Sequence, residues 1–403
     1  MSVIDKTWKG KLSLICSLAA YFIVVFIKLS PSVVMPQYQV VFGLTDSRVG
    51  ILSGLYFFSY AIMQLVAGPL SRKIGASRVI AFGLIVSSLG LVVFGFGNSF
   101  FLLVLGRLLL GFGSGPIFVA MLFSFQENYD SAGYVRNYSI SVFVSNLGSA
   151  CSSAPLKLLL TYVSFRSFFM VLALCSSILA VVTVVLSSRN VIRKENTRFV
   201  SELLDSTKEI IGNARLRSCL ILWLTVSGGI LSYQGLWCTK WTAMSFPDYE
   251  NLSGLGGTVI SLGIMISSIV GKKLFTVPED RCKSVAISGW LHILALLLVV
   301  VSKSVFVLKN FWVSIVCDFL FGLLMGNACL QVPVLVKQES MANNATIMGV
   351  LNFFANLFSQ MMQSITGSLV DVTSSYVVTF SIVIVLYSFL MLFVDYGLKT
   401  RRS

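Results

Sequence analysis

The chain has 403 residues, 56% of them hydrophobic and only 11% charged, with a formal net charge of +14. An ordinary soluble domain carries about 25% charged residues, so a chain this apolar cannot cover itself with polar surface and lipid must act as its solvent. The positive charge lies between long apolar runs rather than in one patch, which argues against a nucleic-acid partner.

Twelve apolar segments follow one another along the chain, at 12–36, 48–70, 79–97, 99–126, 136–160, 167–187, 218–244, 252–271, 284–302, 310–336, 345–370 and 375–396. Each spans 19–28 residues, enough for a helix to cross a hydrocarbon core of about 30 Å. The expected fold is therefore an all-α membrane protein of twelve transmembrane helices. The first segment follows Lys6, Lys9 and Lys11 as a signal peptide would, but it is too long for one and no A-x-A-like cleavage site follows, so it reads as a retained helix.

With both ends placed inside, 22 of the 30 Lys and Arg residues fall on the inner side and four on the outer side, namely Arg48, Arg166, Lys303 and Lys309. The other four, Lys28, Arg107, Lys157 and Lys240, lie within segments. This bias predicts both termini in the cytoplasm and, with no long extramembrane insertion, suits a bacterial inner membrane.

The longest polar stretch, 188–217, separates six segments from six. Within it Phe199, Val200, Leu203, Leu204, Ile210 and Ile211 recur at helical spacing, predicting an amphipathic helix along the inner surface. The expected organisation is an N-terminal bundle over 1–187, this linker, and a C-terminal bundle over 218–403. The halves also resemble each other. Phe143–Ser149 in the fifth segment aligns with Phe353–Ser359 in the eleventh at an offset of 210, and Arg107-x3-Gly111-x3-Gly115 in the fourth aligns with Asp318-x3-Gly322-x3-Gly326 in the tenth at 211. Two matches at nearly one offset indicate an internal repeat and hence two pseudo-symmetric six-helix halves. Small residues four apart let helix backbones approach closely, so packing is the expected role of these glycines.

Between the second and third segments, Gly68-Pro69-Leu70-Ser71-Arg72-Lys73-Ile74-Gly75-Ala76-Ser77-Arg78 resembles the loop signature G-x-L-[AS]-D-[RK]-x-G-[RP]-[RK] of the major facilitator superfamily. Arg107-Leu108-Leu109-Leu110-Gly111-Phe112-Gly113 is similar to the same family's fourth-span motif, R-x-x-x-G-x-G. Arg72 stands where the motif has an acid, which puts the usual charge relay of that loop in doubt. The matching second-half loop, Gly271-Lys272-Lys273-Leu274-Phe275, keeps little beyond a glycine and basic residues. Ser30–Val34, Tyr56–Gln64 and Ala345–Asn352 resemble a bacterial branch that includes amino-acid and nucleoside permeases of intracellular bacteria. The resemblance implies a transporter working by alternating access, with Gly68, Arg72, Lys73, Gly75 and Arg78 as a gating loop and segments 1, 4, 7 and 10 around a central site.

Ionisable residues fall on those four segments: Lys28, Arg107, Lys240 and Asp318. Ionisable groups inside a membrane generally face a watery path and mark function. Lys28 lies roughly 24 Å from the inner end of its segment, and Arg107 and Asp318 roughly 12 Å from the outer ends of theirs. Asp318 is expected to neutralise one cation, with Lys240 the favoured partner, or to serve in coupling. The remaining cations then lack an acid, and the missing charge is assigned to the substrate. The lysines on segments 1 and 7 are also similar to the basic pair of organophosphate exchangers. Other readings stay open: Arg107 in gating, and Lys240 or Lys157 reaching for the outer interface.

Asn146, Asn356, Gln234 and Gln331 offer amides to a small solute or to neighbouring helices, and Tyr21 is a candidate wall of the site. His292, on a segment peripheral in such a fold, is expected to be structural. Eight cysteines lie singly with no C-x-x-C, one histidine is present and no segment holds paired carboxylates, so no metal, cofactor or catalytic chemistry is expected. The favoured function is transport of a small anionic or zwitterionic metabolite (amino acid, carboxylate or organophosphate) by a monomer in the lipid bilayer, with a proton or counter-substrate as possible driving partner. The alternative is a neutral solute such as a nucleoside or sugar, bound by the amides.

Overall fold

The computed structural model describes residues 8–186, 199–274, 280–305, 309–340 and 344–399. The predicted linker's 188–198 stretch and Phe275 of the second-half loop lie outside them. Among the described residues there is no strand. The helices are α1 (Trp8–Leu29), α2 (Pro31–Phe42), α3 (Asp46–Ile74), α4 (Ala76–Phe96), α5 (Phe100–Asn128), α6 (Ser131–Cys151), α7 (Ala154–Tyr162), α8 (Phe165–Val185), α9 (Phe199–Gly212), α10 (Ala214–Ser232), α11 (Cys238–Ser245), α12 (Leu255–Leu274), α13 (Arg281–Ser304), α14 (Phe311–Glu339), α15 (Asn344–Thr373) and α16 (Tyr376–Lys399). A backbone without water must satisfy its polar groups internally, and helices do so within one segment.

All twelve predicted segments coincide with helix, three of them in pieces. The first is broken at Ser30 before Pro31, the fifth between α6 and α7, and the seventh by a π-helical turn, Tyr233–Trp237, between α10 and α11. Among the described residues nine helices are long and apolar enough to cross a membrane. The three segments below that threshold are informative. α6 carries Ser and Asn and α15 carries Ser, Asn and Gln, while for α12 the apolar stretch among the described residues is Leu255–Val270. α9 occupies the predicted amphipathic stretch; Ser206 and Ile210 are buried while Leu204 and Ile211 stay exposed.

The chain forms two compact units, one of 1–28, 55–149 and 158–197, the other of 29–54, 150–157 and 198–403. In the first, α4 packs against α5 and α8; in the second, α13 packs against α14 and α16, and α12 also lies on α14. The repeat is visible inside each unit. A Cβ on Gly111 would strike Tyr56 O, and one on Gly115 would meet Tyr60 O and Met63; on Gly322 it would strike Ile260 O, and on Gly326 it would meet Ile264 and Ser267. The struck residues are related by a constant offset of 204, so the same helix seam is built twice from the same glycines.

The turn between α3 and α4 is a single residue. Gly75 sits at φ 92°, ψ 142°, a conformation nearly closed to side chains, and its N–H still bonds Ser71 O at 2.9 Å. Gly75→Ala should therefore lower stability by about 1–3 kcal/mol although its surroundings are open, a change readable as a drop in the melting temperature of purified protein.

Candidate functional site

In the first unit, α1 ends its last turn with Lys28, and α3 presents Tyr56, Phe57 and Tyr60 at i, i+1 and i+4. The Lys28 Nζ lies 5.4 Å from the Phe57 ring centre and 5.2 Å from that of Tyr60. Tyr60 stacks on Tyr56 at 5.5 Å, and Tyr56 in turn lies 5.0 Å from the Arg107 guanidinium, which also meets Phe94 at 5.9 Å. A ring face attracts a cation, by up to ~2 kcal/mol when water is excluded, yet cancels none of its charge. The cations differ in reach: Arg107 on α5 is 1% exposed, whereas Lys28 is half-buried. Among the described residues no carboxylate pairs with Lys28.

Of the other residues predicted in this unit, Tyr21 stacks on Phe118 at 4.8 Å, and Asn146 Nδ2 donates to Val142 O within its own helix. Arg72 has a buried Nε without a hydrogen-bond partner, and Arg78 donates to Ile74 O at 3.3 Å, closing the helix before the Gly75 turn. Gly68 faces open space, and Lys73 is exposed.

The second unit corrects the expected pairing of Asp318. Its partner is Lys303 of α13, at 3.5 Å with both side chains 0% exposed, and Lys240 takes no part. Lys303 also donates to Thr242 Oγ1 at 2.9 Å and Ser314 Oγ at 2.6 Å. Tyr233, in the π-helical turn, donates its hydroxyl to Asp318 Oδ1 at 2.5 Å. α12 closes the site, since a Cβ on Gly256 would come within 2.6 Å of Asp318 Oδ2. A π-turn is uncommon and tends to occur where a helix must redirect side chains; here it carries Tyr233 and Gln234.

Lys240 lies elsewhere. It pairs with Asp46, donates to Gln39 Oε1 at 2.7 Å, and sits 5.8 Å and 5.9 Å from the Trp237 and Tyr376 rings. Of the predicted amides, Gln234 reaches a neighbouring helix, whereas Gln331 and Asn356 bond residues one turn back in their own helices. Gln234 Nε2 bonds Gly257 O at 3.0 Å and Ser261 Oγ at 2.8 Å, Gln331 bonds Asn327, and Asn327 reaches Ser288 on α13. Asn356 Nδ2 bonds Asn352 O at 2.7 Å. His292 is fully buried and stacks on Tyr387, as befits packing.

Four participants were not among the residues that the sequence proposed for the site. Lys303 stands one residue past its apolar run and looks like an ordinary end charge; Tyr233, Tyr60 and Phe57 look like core aromatics. Only the aromatic cluster Tyr56-Phe57-Phe58-Ser59-Tyr60 near a lysine-bearing segment was a usable signal.

Comparison with known proteins agrees with this architecture. A probable sulfoacetate transporter, SauU, of Cupriavidus necator is 27% identical over 158 residues, 39% of this chain and 36% of that protein. The quinolone resistance protein NorA of Staphylococcus aureus is 28% identical over 115 residues, 28% of this chain and 30% of NorA. The chain thus matches about a third of the length of these relatives. Among solved structures, a mutant of the nucleoside transporter NupG superposes with a TM-score of 0.72 at 13% identity, over 95% of this chain and 98% of that one. A bacterial homologue of the human lysosomal transporter Spinster gives 0.71 at 14% identity, over 98% of each chain. The family model described as Major Facilitator Superfamily matches residues 17–364, and with the repeated six-helix pattern this places the chain in that superfamily of membrane transporters.

Proposed function

We propose that this transporter moves a small anionic or zwitterionic metabolite (an amino acid, carboxylate or organophosphate) by alternating access, with Lys28 as the counter-charge for its acidic group. One observation carries the reading: Lys28 is half-buried against two aromatic faces, and no carboxylate pairs with it among the described residues. A cation held inside a membrane protein needs an opposite charge. The SauU relative supports the same class, because sulfoacetate is a small organic anion. The neutral-solute alternative is weakened, since Gln234, Gln331 and Asn356 already bond to neighbouring protein groups. Arg107 backs the site through Tyr56 and Tyr60. The orientation proposed from charge bias has both termini in the cytoplasm of a bacterial inner membrane, and a monomer driven by a proton or counter-substrate completes the reading.

A thermal-unfolding screen of purified protein tests it. At 100 times its dissociation constant a ligand adds about 2.7 kcal/mol of stability. Amino acids, carboxylates, phosphorylated metabolites, nucleosides and sugars are offered to wild type, Lys28→Ala and Lys28→Arg. An acidic or zwitterionic compound should stabilise wild type, leave Lys28→Ala unshifted and keep part of its effect on Lys28→Arg. Equal stabilisation of wild type and Lys28→Ala by a nucleoside or sugar overturns the assignment.

A further inference from the structure

We propose that Asp371, Asp46, Gln39 and Lys240 form a polar latch across a glycine seam, and that this latch must release once in each transport cycle. The inference rests on the transporter reading and is independent of whether the substrate is an anion.

The latch begins at a helix start. The first N–H groups of α3 have no partner within the helix and point along the positive end of its dipole. Thr45 Oγ1 accepts from Arg48 N at 3.3 Å, but the preceding donors are taken by a residue more than 320 positions away: Asp371 Oδ1 accepts from Asp46 N and Oδ2 from Ser47 N, both at 2.8 Å. Such charge-assisted bonds are about twice as strong as neutral ones. Ser47 and Ser368 share a further bond of 3.1 Å between their hydroxyls.

Asp46 then extends the contact to the seventh segment. Its carboxylate pairs with Lys240 and accepts from Gln39 Nε2 at 2.8 Å, while Lys240 also donates to Gln39 Oε1 at 2.7 Å. Gln39 on α2, Asp46 on α3, Lys240 on α11 and Asp371 on α15 are thereby joined in one network.

Beneath it, α3 and α15 touch backbone to backbone. A Cβ on Gly50 would strike Gln363 O, one on Gly54 would come within 2.9 Å of Gln360 O, and one on Gly367 would strike Asp46 O. Gly50 and Gly54 stand one turn apart on α3 and Gly367 lies on the facing side of α15, which suits a seam that closes flush and parts without unthreading side chains. Latch and seam explain why 29–54, although they come from the first half of the sequence, belong to the second compact unit. The chain leaves that unit at Lys28/Leu29, beside the helix break at Ser30, and at Gly54/Leu55.

Exposure separates the latch from the Lys303–Asp318 pair of the same unit. The side chains of Lys240 and Asp46 are 19% and 16% exposed, against 0% for both Lys303 and Asp318. Groups at a wet edge regain water when they part, whereas a fully buried pair would strand two charges. Release is therefore cheap at Lys240–Asp46–Asp371 and costly at Lys303–Asp318. Lys240 is accordingly a positioning residue of the gate.

The test needs no substrate. Val49, 1% exposed beside Gly50, is replaced by Cys as a reporter, and the reaction of purified protein in nanodiscs with a water-soluble maleimide is timed, subtracting the rate of the same protein without the reporter. Asp371→Asn and Lys240→Met should each raise the reporter's rate roughly ten-fold, the order expected when one charge-assisted contact is lost. Unchanged rates in both variants, each eluting as a monodisperse species, overturn the latch. Leu52→Cys, at 0% exposure, is the second reporter if Val49→Cys perturbs the helix, and Gln39→Ala is the substitute if Asp371→Asn does not fold. Faster labelling together with a Lys28→Ala protein that still binds its ligand would retain the latch and remove the anion reading; the reverse pair of results would do the opposite.

Discussion

Removing either Lys303 or Asp318 alone should cost about 3–5 kcal/mol, while Lys303→Met combined with Asp318→Leu should recover most of that loss. A single replacement leaves one ionised group at 0% exposure with its partner gone. For Asp318→Ala the stranded ammonium keeps Thr242 and Ser314; for Lys303→Ala the stranded carboxylate keeps only the Tyr233 hydroxyl. The double replacement strands neither charge, so its cost should fall well below the sum of the singles. Unfolding curves for the four proteins of this cycle, in one detergent, give the coupling directly. Additive losses would mean that the two side chains do not depend on each other and that the pair is incidental.

Valine at Gly111 or Gly322 should be damaging to a similar degree, about 3 kcal/mol or more, because neither neighbour can move aside. The obstructing atoms are main-chain oxygens, Tyr56 O and Ile260 O, in the middle of packed helices. Overpacking against flexible side chains costs about 1–3 kcal/mol, and a rigid backbone allows less relief. Internal controls are available in the same protein. Gly68 and Gly349 face nothing within 4 Å, and alanine at either helical position should be neutral or add up to ~1 kcal/mol through helix propensity. The comparison is read as melting temperature and as yield of monodisperse protein. Equal behaviour of Gly111→Val and Gly68→Ala would show that the repeated seam has slack.

Much of the fold was legible because the features that specify it are local or periodic. An apolar run long enough to span a bilayer is a property of consecutive residues, and all twelve coincide with helix. The repeat was legible for a related reason: Gly111 and Gly322 recur at an offset close to the period of the fold, and each meets the carbonyl of an equivalent neighbour. Charge pairing was a different matter. Lys240 and Asp318 share the second half, which made them the natural partners on paper. A helical turn sets each residue's direction, however, and the π-turn at Tyr233–Trp237 shifts every residue after it. Lys240 thereby meets Asp46, and the acid is left to Lys303, which the run lengths had put outside. Asp371 accepts from backbone N–H groups at the start of α3, partners that no side-chain pattern announces.

The amides show the same limit. Gln234 and Asn356 read equally well as solute ligands or as helix contacts, and only the fold shows that Gly257 O of a neighbouring helix lies 3.0 Å from Gln234 and Asn352 O of the same helix 2.7 Å from Asn356. By composition, run length and the spacing of its glycines, the amino-acid order alone determined that this is a helical membrane protein of two related halves with charges within its spans. Tertiary structure decided which charges are cancelled and which remain: Lys303 by Asp318, Lys240 by Asp46, Lys28 by no carboxylate among the described residues. The physical reason is range. Hydrophobic matching to a bilayer acts over whole segments, whereas an ion pair or hydrogen bond is made or lost within an ångström or two, between residues that the sequence places hundreds of positions apart.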